Sequence, residues 1–128
     1  MNLRRILIIV ALVSLALPFT AFAQGGGFAG KWTGEWSNSL GEYGNDSLVL
    51  SEDANGNLRG LWSDDVPVSG QITGSNTASL VGQTATRAYD IWARVDGDRM
   101  TLQYTATRLD AAGSYSGESR FTRVRRGY

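Results

Sequence analysis

The sequence predicts an all-β domain, an eight-stranded antiparallel up-and-down meander closed into a β-barrel and preceded by a signal peptide. Three observations carry that expectation. Apolar and polar residues alternate with a period of two along most of the chain beyond residue 30. Residues that favour turns recur between the alternating runs. No long segment places apolar residues at three-to-four spacing, so helix is expected to be nearly absent.

The chain opens with Arg4 and Arg5, continues through an apolar run from Ile6 to Leu17, and reaches Pro18 and the small-residue triplet Ala21-Phe22-Ala23. These are the three parts of a signal peptide, so residues 1–23 are read as one, with cleavage between Ala23 and Gln24. The apolar run is about twelve residues, short of the roughly twenty that cross a bilayer as a helix, and no second run follows it. No membrane span is expected. The chain has no Cys, which rules out lipid attachment through that residue and leaves packing and sheet closure to hold a small exported domain together. The bacterial periplasm is the expected location, with secretion to the medium as the alternative.

Residues 24–29, with Gly25 to Gly27, read as a flexible lead-in, and nothing Pro-rich, Ser-rich or charge-blocked divides residues 30–125, which are read as one domain. Strands are expected near 30 to 38, 46 to 52, 57 to 63, 66 to 73, 76 to 83, 88 to 96, 99 to 108 and 114 to 124. The alternation is clearest late in the chain. Tyr89, Ile91, Ala93 and Val95 share one face, as do Met100, Leu102, Tyr104 and Ala106, and Asp96-Gly97-Asp98 between them reads as a hairpin turn. The other expected turns carry Gly44-Asn45-Asp46, Asn55-Gly56, Asp64-Asp65 with Pro67, Gly74-Ser75-Asn76 and Asp110 to Gly113, residue types that accept positive φ or bond their own backbone. Only Thr84 to Arg87 lacks a clear turn signal. Connections this short cannot carry parallel crossovers, so sequence neighbours must be sheet neighbours. Closure then removes two otherwise open edges. A two-sheet sandwich uses similar spacing and is the alternative.

The first expected strand begins Gly30-Lys31-Trp32 and continues Thr33-Gly34-Glu35-Trp36, while the last ends Arg120-Phe121-Thr122-Arg123-Val124. In a closed meander these two strands are adjacent, so that an Arg of the last can lie over an indole of the first. A Gly-x-Trp opening strand with a basic closing strand resembles the calycin superfamily, whose members include lipocalins, fatty-acid-binding proteins and avidins. Trp36-Ser37-Asn38-Ser39-Leu40-Gly41, Leu58-Arg59-Gly60-Leu61-Trp62 and Phe121-Thr122-Arg123-Val124 resemble strands of avidin-like barrels. The resemblance assigns barrel closure to Gly30, Trp32, Arg120 and Arg123. It also matches Asn38 to the asparagine that avidins direct at the biotin ureido group. Glu42 and Asp64, however, stand where that pattern has serines, and Trp62 where it has a tyrosine. A buried acid facing a neutral urea is costly, so the resemblance implies the barrel and not biotin.

With no His and no Cys, Ser-His-acid and Cys-His nucleophiles, His-ligated zinc and thiolate metal sites are absent. Lys31, the single Lys, falls in the closure motif. Glu35, Glu42, Asp64 and Asp90 are acids at strand ends and on outer faces, better read as solvated charges than as a glycosidase pair. Glu52-Asp53 with Asn55 and Asn57 is better read as a hairpin turn than as a calcium loop. No phosphate-binding glycine loop precedes a helix. No enzyme and no cofactor are expected. Without Arg4 and Arg5, ten basic residues face twelve acidic ones, a charge of about −2 that disfavours nucleic acid as a partner.

The positive signal is aromatic. An eight-stranded barrel has room for its own side chains or for one small ligand, and Trp36, Asn38, Tyr43 and Trp62 are the candidate ligand-binding residues for a small, partly apolar or aromatic molecule. The alternative is an envelope interaction module that touches a protein or a surface polymer. It would use Trp92, which alternates with Asp90 and Arg94 and so points outward as a candidate subunit contact, or the cluster Arg120, Arg123, Arg125 and Arg126.

Overall fold

The computed structural model describes residues 27–125. The signal peptide, its cleavage point at Ala23 and Gln24, and most of the lead-in lie outside them. Eight strands follow one another: β1 Gly30–Asn38, β2 Tyr43–Glu52, β3 Asn57–Trp62, β4 Val66–Ile72, β5 Thr77–Gln83, β6 Arg87–Asp96, β7 Arg99–Arg108 and β8 Ser114–Arg123. Each pairs antiparallel with the next, and β8 pairs antiparallel with β1 to close the barrel. The closed ring overturns the sandwich alternative: no edge remains on which a second sheet would have to form. Among the described residues no helix is long and apolar enough to cross a membrane.

The period-two alternation is what sorts the side chains. On β6 and β7, Ile91, Ala93, Val95, Met100, Leu102, Tyr104 and Ala106 are all buried inside, while Asp90, Trp92, Arg94, Gln103 and Thr105 are exposed on the outer wall. The same phase on the remaining strands brings Trp32, Leu48, Leu50, Leu58, Trp62, Val66, Val68, Ala78, Leu80 and Phe121 into a single core.

One boundary differs from expectation by more than a residue. β2 starts at Tyr43 rather than residue 46, because β1 runs to Asn38 and holds its partner in register through Glu35↔Asn45, Trp36↔Gly44 and Ser37↔Tyr43. Gly44-Asn45-Asp46, expected as the turn, is therefore strand, and the turn moves to residues 39–42. Residues 84–86, which carried no turn signal, are held by the Thr84 hydroxyl, which accepts from the amides of Thr86 and Arg87 at 3.3 and 3.1 Å.

The two ends of the barrel are built differently. At the end where β1 begins and β8 finishes, Phe28 is fully buried as a plug. Its carbonyl accepts from the Trp32 indole N–H at 3.0 Å. Trp32 and Arg123 are paired across β1 and β8, and the guanidinium sits 4.3 Å from the Trp32 ring centre. Its nitrogens donate to the carbonyls of Gly27 at 2.6 Å and Ala29 at 2.7 Å and to Asp98 at 3.2 Å. Gly30 needs its positive φ of 133° here, since a Cβ would press on that guanidinium. Arg120 stands apart from this closure, on the outer wall beside Glu35, and pairs with Glu118.

Candidate functional site

At the opposite end, where the loops after β1, β3, β5 and β7 gather, the interior is aromatic and polar. Trp62, Tyr89 and Tyr104 meet edge to face, with ring centres 5.0, 4.8 and 6.0 Å apart. Glycine makes room for the cluster: Tyr104 pairs with Gly117, where a Cβ would run into the phenol ring. Burial pushes the Tyr104 phenol up to about 12, with Tyr115 and Asp46 adding to the effect. Burial, then Tyr115, also raises the Tyr89 phenol above its ordinary range.

Beneath this layer lies a carboxylate. Asp46 is 7% exposed and is inward because it keeps phase with Leu48 and Leu50 on β2. The Trp62 indole donates to it at 2.9 Å, the Ser63 and Ser119 hydroxyls at 2.6 Å each, and the Ser47 amide at 2.8 Å. Both oxygens thus receive two bonds, which satisfies a buried acceptor. Ser63 reaches it from a turn in which Ser63 and Asp64 both adopt left-handed backbone, φ 55° and 68°.

Around the rim, Tyr89, Ala106 and Tyr115 form one row across β6, β7 and β8, and the small Ala106 lets the two phenols meet across it in a side-chain hydrogen bond. Arg87 lies over the Tyr115 ring at 5.9 Å, donates to its hydroxyl at 3.3 Å and pairs with Asp110 at 3.5 Å. Trp36 faces inward in phase with Trp32, with its indole against Gly44. Trp36, Tyr89 and Tyr115 are half-buried, whereas Trp62 is only 4% exposed.

Of the four candidate residues only Trp36 and Tyr43 come together, in a groove of about 710 Å³ shared with Glu35, Asn45 and Arg120. Trp36 is on the rim and Trp62 on the floor. Asn38 is engaged by its own turn: its carbonyl oxygen accepts from the Leu40 and Glu42 amides at 2.9 and 3.0 Å, and its amide donates to Glu42 at 2.8 Å. Tyr43 is 79% exposed on the outer side of β2. Asp46 and Ser119 escaped the sequence reading because the late start given to β2 put Asp46 in a turn. Its phase with Leu48 was the signal that would have found it. Asp53 is likewise spent on its turn, accepting from the Asn55 and Asn57 amides and the Asn57 side chain. The Asn57 side chain leads the interactions that hold its carboxyl below the usual carboxylate range.

No family model matches the chain, and no curated protein does. Among solved structures, the chain is similar to that of EF1p2_mFAP2b bound to DFHBI, with a TM-score of 0.57 and 11% identity over 75% of this chain and 93% of that one. At that identity the likeness establishes a shared barrel fold.

Proposed function

We propose that this protein is a non-enzymatic, exported barrel that binds one small, partly apolar or aromatic ligand at its open end. The observation that carries the reading is the contrast in exposure along the inner wall. One end is plugged by Phe28 and locked by Arg123. The other ends in a rim of half-buried Trp36, Tyr89 and Tyr115 above a floor of Trp62 and Tyr104. Half-exposed aromatic rings around the mouth of a barrel are a natural seat for a planar apolar ligand. The phenols and Arg87 add directional polar contacts. The structurally similar chain is bound to DFHBI, which supports a barrel of this size holding a small molecule. The pairing of Gly30, Trp32 and Arg123 supports the calycin-like reading, and Arg4, Arg5 and the Ala21-Phe22-Ala23 triplet support export to the periplasm.

The test is NMR titration of the intact protein with a panel of small planar aromatics, DFHBI among them, together with native mass spectrometry of protein isolated from the cells that make it. Saturable shifts of the Trp36 indole resonance are expected while that of Trp32 stays fixed, and Tyr115→Ala should weaken the response at least tenfold. Shifts confined to the outer wall, or no retained small molecule and no saturable response, would overturn the reading.

A further inference from the structure

The outer wall of the barrel is uneven. Across β5, β6, β7, β8 and β1 it forms a shallow groove of about 710 Å³. A single register row crosses the groove from strand to strand: Ser79 pairs with Trp92, Trp92 with Gln103, Gln103 with Glu118, and Glu118 with Ser37. Asp90, Thr105 and Ser116 form a second row alongside it. We propose that this groove binds an extended, uncharged oligosaccharide lying along the rows, with Trp92 as the platform against which a sugar ring stacks.

The lining favours that chemistry over others. Adjacent strands lie about 4.8 Å apart, so the four steps from β5 to β1 give a path of roughly 19 Å that curves with the barrel wall, and its central part from β6 to β8, beside Trp92, gives a flatter stretch of roughly 10 Å that seats about two sugar rings of the chain. A pyranose offers an apolar C–H face and a rim of hydroxyls that both donate and accept. Opposite it the groove offers one indole, hydroxyls from Ser37, Ser79, Thr105 and Ser116, the Gln103 amide and the carboxylates of Asp90 and Glu118, which between them can answer both roles. Trp92 is 42% exposed, and its row neighbours are polar. A protein partner would bury a central apolar cluster, whereas among the described residues exposed Val81, paired with Asp90 on β5, and exposed Leu40, beside Ser39 after β1, stand at the two margins of the groove. Of the two carboxylates on the track Glu118 is paired with Arg120, which leaves Asp90 as the charge that disfavours an anionic polymer. The opposite wall, around Arg59, Leu61 and Pro67, also has grooves, but no aromatic residue lines them.

The experiment is an oligosaccharide array probed with the intact protein, carrying neutral tetramers such as cellotetraose and chitotetraose beside an anionic oligogalacturonate, with sedimentation of the same samples. Binding to neutral tetramers is expected, weakened at least tenfold by Trp92→Ala, restored in large part by Trp92→Tyr and unchanged by Leu61→Ala. Near-ultraviolet circular dichroism checks that each variant keeps its fold. An aromatic probe seated at the open end should not displace the sugar, which separates failure of this site from failure of the interior one. The proposal is overturned if no neutral tetramer binds, if the anionic one binds better, or if Trp92→Ala leaves binding intact. It is also overturned if that substitution instead dissociates a dimer, which would assign Trp92 to a contact between copies.

Discussion

The two ends of this barrel each hold a charged-type side chain against an indole, and they spend it differently. At the closed end Arg123 donates to main-chain carbonyls of Gly27 and Ala29, groups more than ninety residues away in sequence that no substitution can remove. At the open end Asp46 accepts mainly from side chains, those of Trp62, Ser63 and Ser119. A cation bonded to backbone ties the two ends of the chain together whatever the neighbouring side chains are. A carboxylate bonded to side chains orients those side chains, and here they form the floor beneath a half-exposed aromatic rim. The first arrangement stabilises the fold, and the second sets the shape of a site.

Substitutions at the two ends should separate these roles. Arg123→Met should cost the most, about 3 kcal/mol, because carbonyls near the Phe28 plug lose charged donors. Urea unfolding would show it as a lower midpoint with an unchanged slope. Asp46→Ala should cost about 2 kcal/mol by leaving the Trp62 N–H and two hydroxyls without their acceptor, and should shift the aromatic resonances of the open end only. Combined, the two substitutions should add to within about 0.5 kcal/mol, as expected for sites that share no partner. A larger deviation would mean that the ends communicate through the core. Ser119→Ala removes one of four donors and should cost about 1 kcal/mol.

The smallest effect appears only in alkali. Burial lifts the Tyr104 phenol from 10.0 to about 12, so the folded protein holds that proton more tightly than the unfolded chain does. The stability linked to it is complete below about pH 10 and is lost as the pH rises through about 12. Tyr104→Phe should flatten that alkaline limb in a pH series of thermal unfolding curves.

Most of the fold was legible in the sequence because period two is a strong signal when one face is buried. Met100, Leu102, Tyr104 and Ala106 alternate without exception, and all four are inside. The closure was legible too, since a meander with short turns must bring Gly30-Lys31-Trp32 beside Arg123. The open end was less so. Gly44-Asn45-Asp46 has the composition of a turn, and local composition cannot reveal that a long partner strand overrides it. Asn38 and Tyr43 sit near the expected open end in sequence, yet three hydrogen bonds of the Asn38 side chain within its own turn and one step of phase at Tyr43 direct them elsewhere. Tyr89 and Tyr115 meet across Ala106, a relation that depends on register between three strands and is invisible along the chain.

Because Gly30 and Arg123 lie at the same end, with the Val124 amide donating to the Lys31 carbonyl at 2.8 Å, the ring of eight strands has no topological beginning. A short peptide joining the two ends, with a new opening cut in the exposed loop at 110–113, would yield a circular permutant that keeps every strand pair. Such a rearranged chain should assemble the same barrel, provided the tether leaves Phe28 seated.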